Sequence, residues 1–79
     1  MKVFESELRG KTVMSAEGNF LGVLRGISAN VQTGDLTNIH VEAADDIDTR
    51  LFHQDDSGRI LFPFQNIRAV RDVVVVATN

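Results

Sequence analysis

Short apolar segments separated by polar, turn-forming residues run along the whole chain. Polar clusters ending in or containing glycine stand at 15–18, 32–35 and 55–58, and such clusters mark turns. The segments between them are rich in β-branched and aromatic residues, which favour strands. Single helical turns are predicted at 5–8 and 64–67. Six strands are predicted, at 12–14, 21–31, 36–42, 59–64, 67–71 and 73–77.

The alternation of apolar and polar positions breaks within the second predicted strand. Leu24 and Ile27 are three residues apart, so strict alternation would place them on opposite faces of the sheet. Gly26 lies between them, and a glycine at such a break favours a β-bulge or a bend. In the third strand Ile39 and Val41 share one face, as in a sheet that has one buried and one solvent-exposed face. The pattern therefore predicts an all-β fold, a small six-stranded β-barrel with helices of at most one turn.

The last predicted strand, 73–76, consists of four valines and is apolar on both faces. One face is expected to fill the core, and the other needs cover from a neighbouring element or a second subunit. An uncovered edge strand of this kind would invite self-association. We therefore assign Val74 and Val76 to a predicted protein contact.

Residues 43–58 are predicted to form a long acidic surface loop. Loops of this length in a small domain are usually functional or mobile. The loop carboxylates, among them Asp45, Asp46 and Asp48, are predicted to select a basic partner surface by charge.

Three phenylalanines stand at a terminus, a turn and the acidic loop: Phe4, Phe20 and Phe52. Exposed rings in such places often anchor protein interfaces. They are equally consistent with plugs that close the open ends of a small barrel. Both interpretations stay open at this point.

Length and charge limit the function classes. A chain of 79 residues has room for one domain, with a core over about 6–77, and subunit association would supplement so small a core. The net charge of -3 argues against non-specific binding to nucleic-acid phosphates and against a polybasic membrane anchor. Zero cysteines exclude disulfides and thiolate metal sites. No secretory or membrane-spanning pattern is visible, so a cytoplasmic location is expected.

The sequence contains no complete motif for catalysis or for binding a phosphate or a metal ion. The run Gly10-Lys11-Thr12 lacks the earlier glycine that a phosphate-binding loop requires. The two histidines, His40 and His53, have no metal-ligand spacing and are interpreted as surface side chains. No serine stands in a nucleophile-elbow sequence, and nothing in the sequence places one beside a histidine and an acid. We therefore expect no enzyme, no cofactor and no metal.

Three stretches together resemble the PRC-barrel domain. They are 8–13 leading to Glu17-Gly18, then Leu21-Gly22 running to 33–34, then 62–67 followed by 70–75. The resemblance extends from about residue 6 to residue 76, in the order and spacing of that family. It implies a small six-stranded β-barrel used as a docking module without chemistry of its own.

The resemblance also implies a range of roles. The ribosome-maturation factor RimM adds an RNA-related domain to such a barrel, and the photosynthetic reaction-centre H subunit adds a membrane helix. Stand-alone barrels of this length are similar to archaeal cell-division PRC-barrel proteins, which belong with SepF and the FtsZ ring, and to the short sporulation-associated barrels of bacteria. We expect an archaeal adaptor that self-associates as a dimer or polymer. It would dock on a SepF-like or paralogous PRC-barrel protein at the division site, without nucleic acid or membrane insertion.

Two other functions stay open as alternatives. One is an RNA or ribosome-assembly accessory related to the RimM C-terminal barrel, which would need a basic face. The other is a small-molecule or metal sensor that uses the loop carboxylates. It predicts that calcium stabilises the fold, and we expect no such stabilisation.

Overall fold

Six strands and one helical turn form the framework of the fold, and the computed structural model describes residues 5–78. The elements are α1 Glu5–Leu8, β1 Thr12–Ser15, β2 Phe20–Ala29, β3 Leu36–Ala43, β4 Ile60–Pro63, β5 Ile67–Val70 and β6 Val73–Val76. Two 3-10 turns, Thr49–Leu51 and Phe64–Asn66, complete them. The predicted all-β class, the six strands and the single-turn helices are confirmed. The second strand ends at Ala29, before the predicted end at 31, because the Asn30 side chain accepts the next backbone N–H groups and closes a turn.

The strands form one sheet in the order β4-β3-β2-β1-β6-β5. Strands β1 and β6 are parallel, and the other neighbouring pairs are antiparallel. Among residues 5–78, β4 and β5 end the strand order and are joined through the 3-10 turn rather than by a ladder. The three residues Phe64–Asn66 are too short to join the two ends of a flat six-stranded sheet, which would lie roughly 24 Å apart. The sheet therefore curls over its buried face without closing.

Two of the four register shifts between the described strands contribute to the curvature of the sheet. The pairing of β2 with β3 shifts between Leu24 and Gly26, so the predicted bulge is present. Because of that shift, Leu24 and Ile27 both pack on the core. A second shift occurs where β1 pairs with Gly22 and Phe20. Each irregularity rotates the strand and turns the sheet toward a barrel-like form.

The core fills the concave side of the sheet. Its fully buried side chains include Ile39 and Val41 of β3, as the alternation predicted, and Leu8 of α1. Leu8 is placed by the single turn of α1, and two residues later the Gly10 N–H donates to the carbonyl of Leu24 at 2.8 Å. The short helix therefore covers one end of the curled sheet.

The structure corrects the prediction for Val74 and Val76. Both side chains are 0% exposed and belong to the core cluster, so they are not available for a protein contact. Strand β6 is also not an edge, because it lies between β1 and β5. A run of four identical residues does not reveal which alternate pair faces inward. The half-buried outer pair is Val73 and Val75.

No helix in the described part of the chain has the length and apolarity needed to cross a lipid bilayer.

Candidate protein-binding groove

An open groove of about 650 Å³ lies between the β1–β2 turn and the acidic loop. Its apolar surface comes from Phe20 and Leu21 on one side and from Ile47, Leu51 and Phe52 on the other. The two sides are far apart in sequence. The hydrogen bond from the Ala44 N–H to the Leu21 carbonyl, 2.9 Å long, brings them together where the loop leaves β3.

Two of the groove side chains are exposed although they are large and apolar. Phe20 is 48% exposed and Leu51 is 78% exposed. Phe52 is fixed instead, because its ring packs edge-on against the buried Phe62 with centroids 5.7 Å apart at 67°. Ile47 also packs against the core. The groove therefore has a rigid floor and two apolar side chains that remain open to a partner.

The acidic loop holds its shape through local hydrogen bonds as well as through this packing. Asp48 caps the 3-10 turn by accepting the N–H of Arg50 at 3.1 Å. The Gln54 side-chain amide donates to the carbonyl of Thr49 at 2.8 Å, and the Leu61 N–H donates to the carbonyl of His53 at 2.8 Å. These bonds connect the loop to itself and to β4, so the loop forms a preformed wall of the groove.

Carboxylates stand at the rim of the groove. Glu17, Asp46 and Asp48 all line it. The Arg50 guanidinium binds both oxygens of Asp48, at 3.0 and 3.1 Å, and this contact lowers the pKa of the Asp48 carboxyl below its usual range. With three carboxylates against one guanidinium, the rim is negative. Such a rim favours a basic partner.

The structure brings together four of the residues predicted for protein interaction: Phe20, Phe52, Asp46 and Asp48. Asp45 is exposed in the neighbouring turn and does not line the groove. Phe4 lies outside the described residues.

Sequence reasoning missed Ile47 and Leu51. Their only signal was that each is an apolar residue within an acidic stretch, with Leu51 beside Phe52.

A second cluster of polar side chains lies on the outer face of the sheet. His40 Nδ1 is 2.7 Å from Asp55 Oδ2, and His40 Nε2 is hydrogen-bonded to Ser28 Oγ. This corrects the interpretation of His40 as an ordinary surface residue, and it places Ser28 beside a histidine and an acid, which nothing in the sequence indicated. Gly26 pairs opposite His40 at the bulge, and a Cβ there would stand 3.8 Å from the His40 Cβ, which is an ordinary contact. The bulge was predicted from the break in alternation, but the loop conformation that brings Asp55 to His40 was not readable from spacing.

Asp55 is held firmly in this cluster. Its Oδ1 accepts the backbone N–H groups of Ser57 and Arg59 at 2.8 and 2.9 Å, while Oδ2 faces His40. The hydrogen bond with His40 is the main cause that lowers the pKa of the Asp55 carboxyl. Among residues 5–78 no cluster of three or more His, Cys, Asp or Glu side chains suits a metal ion.

A small curled six-stranded β-sheet with a surface groove defines the class of this protein as a barrel-type β-domain. The family model described as PRC-barrel domain matches residues 1–79, and the chain belongs to that family. The family resemblance seen in the sequence is thereby confirmed. A comparison with curated proteins found no match.

The fold is similar to that of a solved structure from Pseudomonas aeruginosa, described as a 16S ribosomal RNA processing protein, RimM. The TM-score is 0.66 at 13% sequence identity, and the match covers 98% of this chain and 44% of that one. This chain therefore spans less than half the length of that protein. At this identity the similarity shows the fold alone.

Proposed function

We propose that this domain is a protein-protein interaction module without catalysis of its own and that the groove is its docking site. The observation that carries the proposal is that two exposed apolar side chains, Phe20 and Leu51, lie together beside rim carboxylates. A clustered apolar surface with a polar rim is characteristic of interaction sites, whereas single exposed apolar residues are ordinary.

The partner is a segment with an apolar side chain flanked by lysine or arginine. The apolar side chain would pack against Phe20 and Leu51, and the basic groups would face Glu17 and Asp46. Opposite charges at a rim set partner choice and association rate more than total affinity. Binding is therefore expected to weaken as salt is added, because these exposed charges are screened.

Titration of isotope-labelled protein with a pentapeptide of alternating arginine and leucine, followed by NMR, tests the docking site. The amide signals of Phe20, Leu51 and their neighbours should shift. Leu51→Ser should weaken binding about tenfold, because a leucine contact of this size is worth one to two kcal/mol. Neutralising two of the rim carboxylates, with Glu17→Gln and Asp46→Asn, should weaken it roughly fivefold.

Matched controls lie in the loop at the other end of β3, between β2 and β3. Val31→Ser removes an exposed apolar side chain outside the groove, and Asp35→Asn removes one carboxylate there. Neither should change the affinity. A peptide of alternating glutamate and leucine should bind more weakly than the basic one. Equal shifts with both peptides, or shifts that map away from the groove, would contradict the proposal.

Within this class we propose the finer role of an archaeal cell-division adaptor. It would self-associate and dock on a SepF-like component of the FtsZ ring, or on a paralogous PRC-barrel protein, and reach the division site through that partner. Supporting this role are six arginines against two lysines and the aspartate-rich loop, a residue usage typical of salt-adapted proteins. Purified protein should sediment as a dimer or larger and should retain purified archaeal SepF. A strict monomer at high concentration that fails to retain SepF would overturn this role.

A second candidate is an accessory of ribosome assembly, with RNA or a ribosomal protein as the partner. It is supported by the RimM structure to which the fold is similar. The net charge of -3 and the acidic rim weigh against direct contact with RNA. Salt-sensitive binding of ribosomal RNA fragments would favour this candidate over the first.

A further inference from the structure

The cluster on the outer face joins three side chains in the atom order that serine nucleophiles use. Ser28 Oγ is hydrogen-bonded to His40 Nε2, and His40 Nδ1 lies 2.7 Å from Asp55 Oδ2. In serine hydrolases the same order lets the ring accept the hydroxyl proton while the acid holds the ring in place. Ser28 belongs to β2, His40 to β3 and Asp55 to the acidic loop.

The chemistry of the three side chains decides which atom donates and which accepts in each hydrogen bond. An ionised carboxylate is only an acceptor, so His40 Nδ1 carries the hydrogen that it donates to Asp55. In the neutral ring, Nε2 then has a free lone pair and accepts the hydroxyl hydrogen of Ser28. Asp55 does not turn away easily, because its other oxygen accepts two backbone N–H groups.

The cluster is accessible and separate from the groove. The side chains of His40 and Asp55 are 20% and 17% exposed, and Ser28 is half-buried on the outer face. None of the three lines the groove. Chemistry at Ser28 would therefore be independent of docking at Phe20 and Leu51.

We propose that Ser28 is an activated nucleophile that accepts an acyl group from small activated esters. Ser28 Oγ bonds to the ester carbonyl carbon as its proton passes to His40 Nε2, and the bond from that carbon to the alcohol oxygen breaks. The leaving oxygen takes the electron pair. The proton returns to the leaving group or goes to water. The open site on the sheet surface suits small reagents, and the expected outcome is one acyl group per chain.

Reaction of the full chain with p-nitrophenyl acetate tests the proposal. Peptide mass spectrometry should locate one acetyl ester at Ser28, and hydroxylamine should remove it. The exposed Ser6 and Ser57 should stay unmodified, because they lack this partner. Ser28→Ala should abolish the ester. His40→Asn should slow its formation about a hundredfold, since a positioned general base contributes on that order.

Further variants separate nucleophile activation from a purely structural role of the cluster. His53→Asn removes the other histidine and should leave the rate of Ser28 acetylation unchanged. Asp55→Asn should slow acetylation, because an amide no longer fixes the proton on Nδ1. Circular dichroism would verify that each variant is folded. If folded His40→Asn protein is acetylated at Ser28 at the normal rate, or if Ser57 reacts as fast as Ser28, the proposal is wrong.

Discussion

The loops at the two ends of β3 are ordered in different ways. The short loop, residues 30–35, closes on polar atoms: Asn30 Oδ1 accepts the N–H groups of Gln32 and Thr33 at 2.8 and 3.1 Å. Its apolar residue, Val31, is 99% exposed. The long loop, residues 44–59, also has internal hydrogen bonds, and in addition it packs Ile47 and Phe52 against the core. Order in a loop therefore depends on what its side chains contact and not on its length.

The difference also separates an ordinary surface from a candidate site. Val31 and the less exposed Leu36 lie at the end of a hairpin, and scattered exposed apolar residues are common. Leu51 is nearly as exposed as Val31, but Phe20 lies in the same groove and carboxylates stand beside it. The long loop gives its apolar residues a shared surface because two of them are already fixed on the core.

The largest expected effect concerns the place where the long loop begins. A Cβ at Gly22 would lie 2.0 Å from the backbone carbonyl oxygen of Glu42, and the φ of Gly22 is +154°. Gly22→Ala should therefore push β2 away from the end of β3 and cost more than about 3 kcal/mol of unfolding free energy, or prevent folding. Urea denaturation followed by circular dichroism measures this cost.

The matched control is Gly34→Ala in the short loop. Gly34 has a φ of +79°, and nothing stands within 4 Å of the position of its Cβ. The substitution therefore carries only the conformational penalty of about 1–2 kcal/mol. Equal costs at the two glycines would mean that the close approach at Gly22 does not limit the fold.

Much of the fold was readable from local pattern, because that pattern reflects local geometry. The glycine at the break in alternation predicted the bulge, and Ile39 and Val41 faced inward as predicted. The inward face of β6 was not readable. The parallel pairing of Val74 with Val13 determines which alternate valines of β6 face the core. That pairing joins strands that are distant in sequence.

The intermediate effect tests whether packing holds the long loop. Phe52→Ala removes the ring that packs against Phe62 and should cost about 2–3 kcal/mol, less than for a fully buried phenylalanine. Val31→Ala should change stability by less than about 0.5 kcal/mol, because that side chain is almost fully exposed. Thermal and urea unfolding of the two variants gives the comparison.

Phe52→Leu is the control that keeps apolar volume. It should recover most of the stability that Phe52→Ala loses. If Phe52→Ala and Val31→Ala are equally mild, the long loop is held by its hydrogen bonds and the contrast between the two loops fails.

The candidate site was predictable in its parts and not in its arrangement. Phe20 was predicted to be an interaction residue because it stands in a turn, and Asp46 because it belongs to an acidic loop that would select a basic partner by charge. That they line one groove depends on the fold of the acidic loop. The contact of His40 with Ser28 and Asp55 depends on the same loop and on the bulge at Gly26.

The smallest expected effect concerns pH and the far end of the long loop. The pKa of Asp55 is lowered in the folded protein, chiefly by the hydrogen bond with His40. A carboxyl with a lowered folded pKa stabilises the fold fully above its unfolded pKa, about 3.9. That contribution is lost as pH falls from there through the folded value. Wild-type stability should therefore drop in this acid window partly because Asp55 takes up a proton.

Unfolding free energies of wild type and Asp55→Asn, measured from pH 7 down to pH 2, test this link. The variant should be less stable at pH 7, and its deficit should shrink through the acid window, since both proteins then carry a neutral group at this position. Asp35→Asn controls for the loss of one negative charge. A deficit that stays constant at every pH would mean that shape alone, and not the charge of Asp55, fastens the long loop to the sheet. In that case the contrast with the short loop would come from packing only.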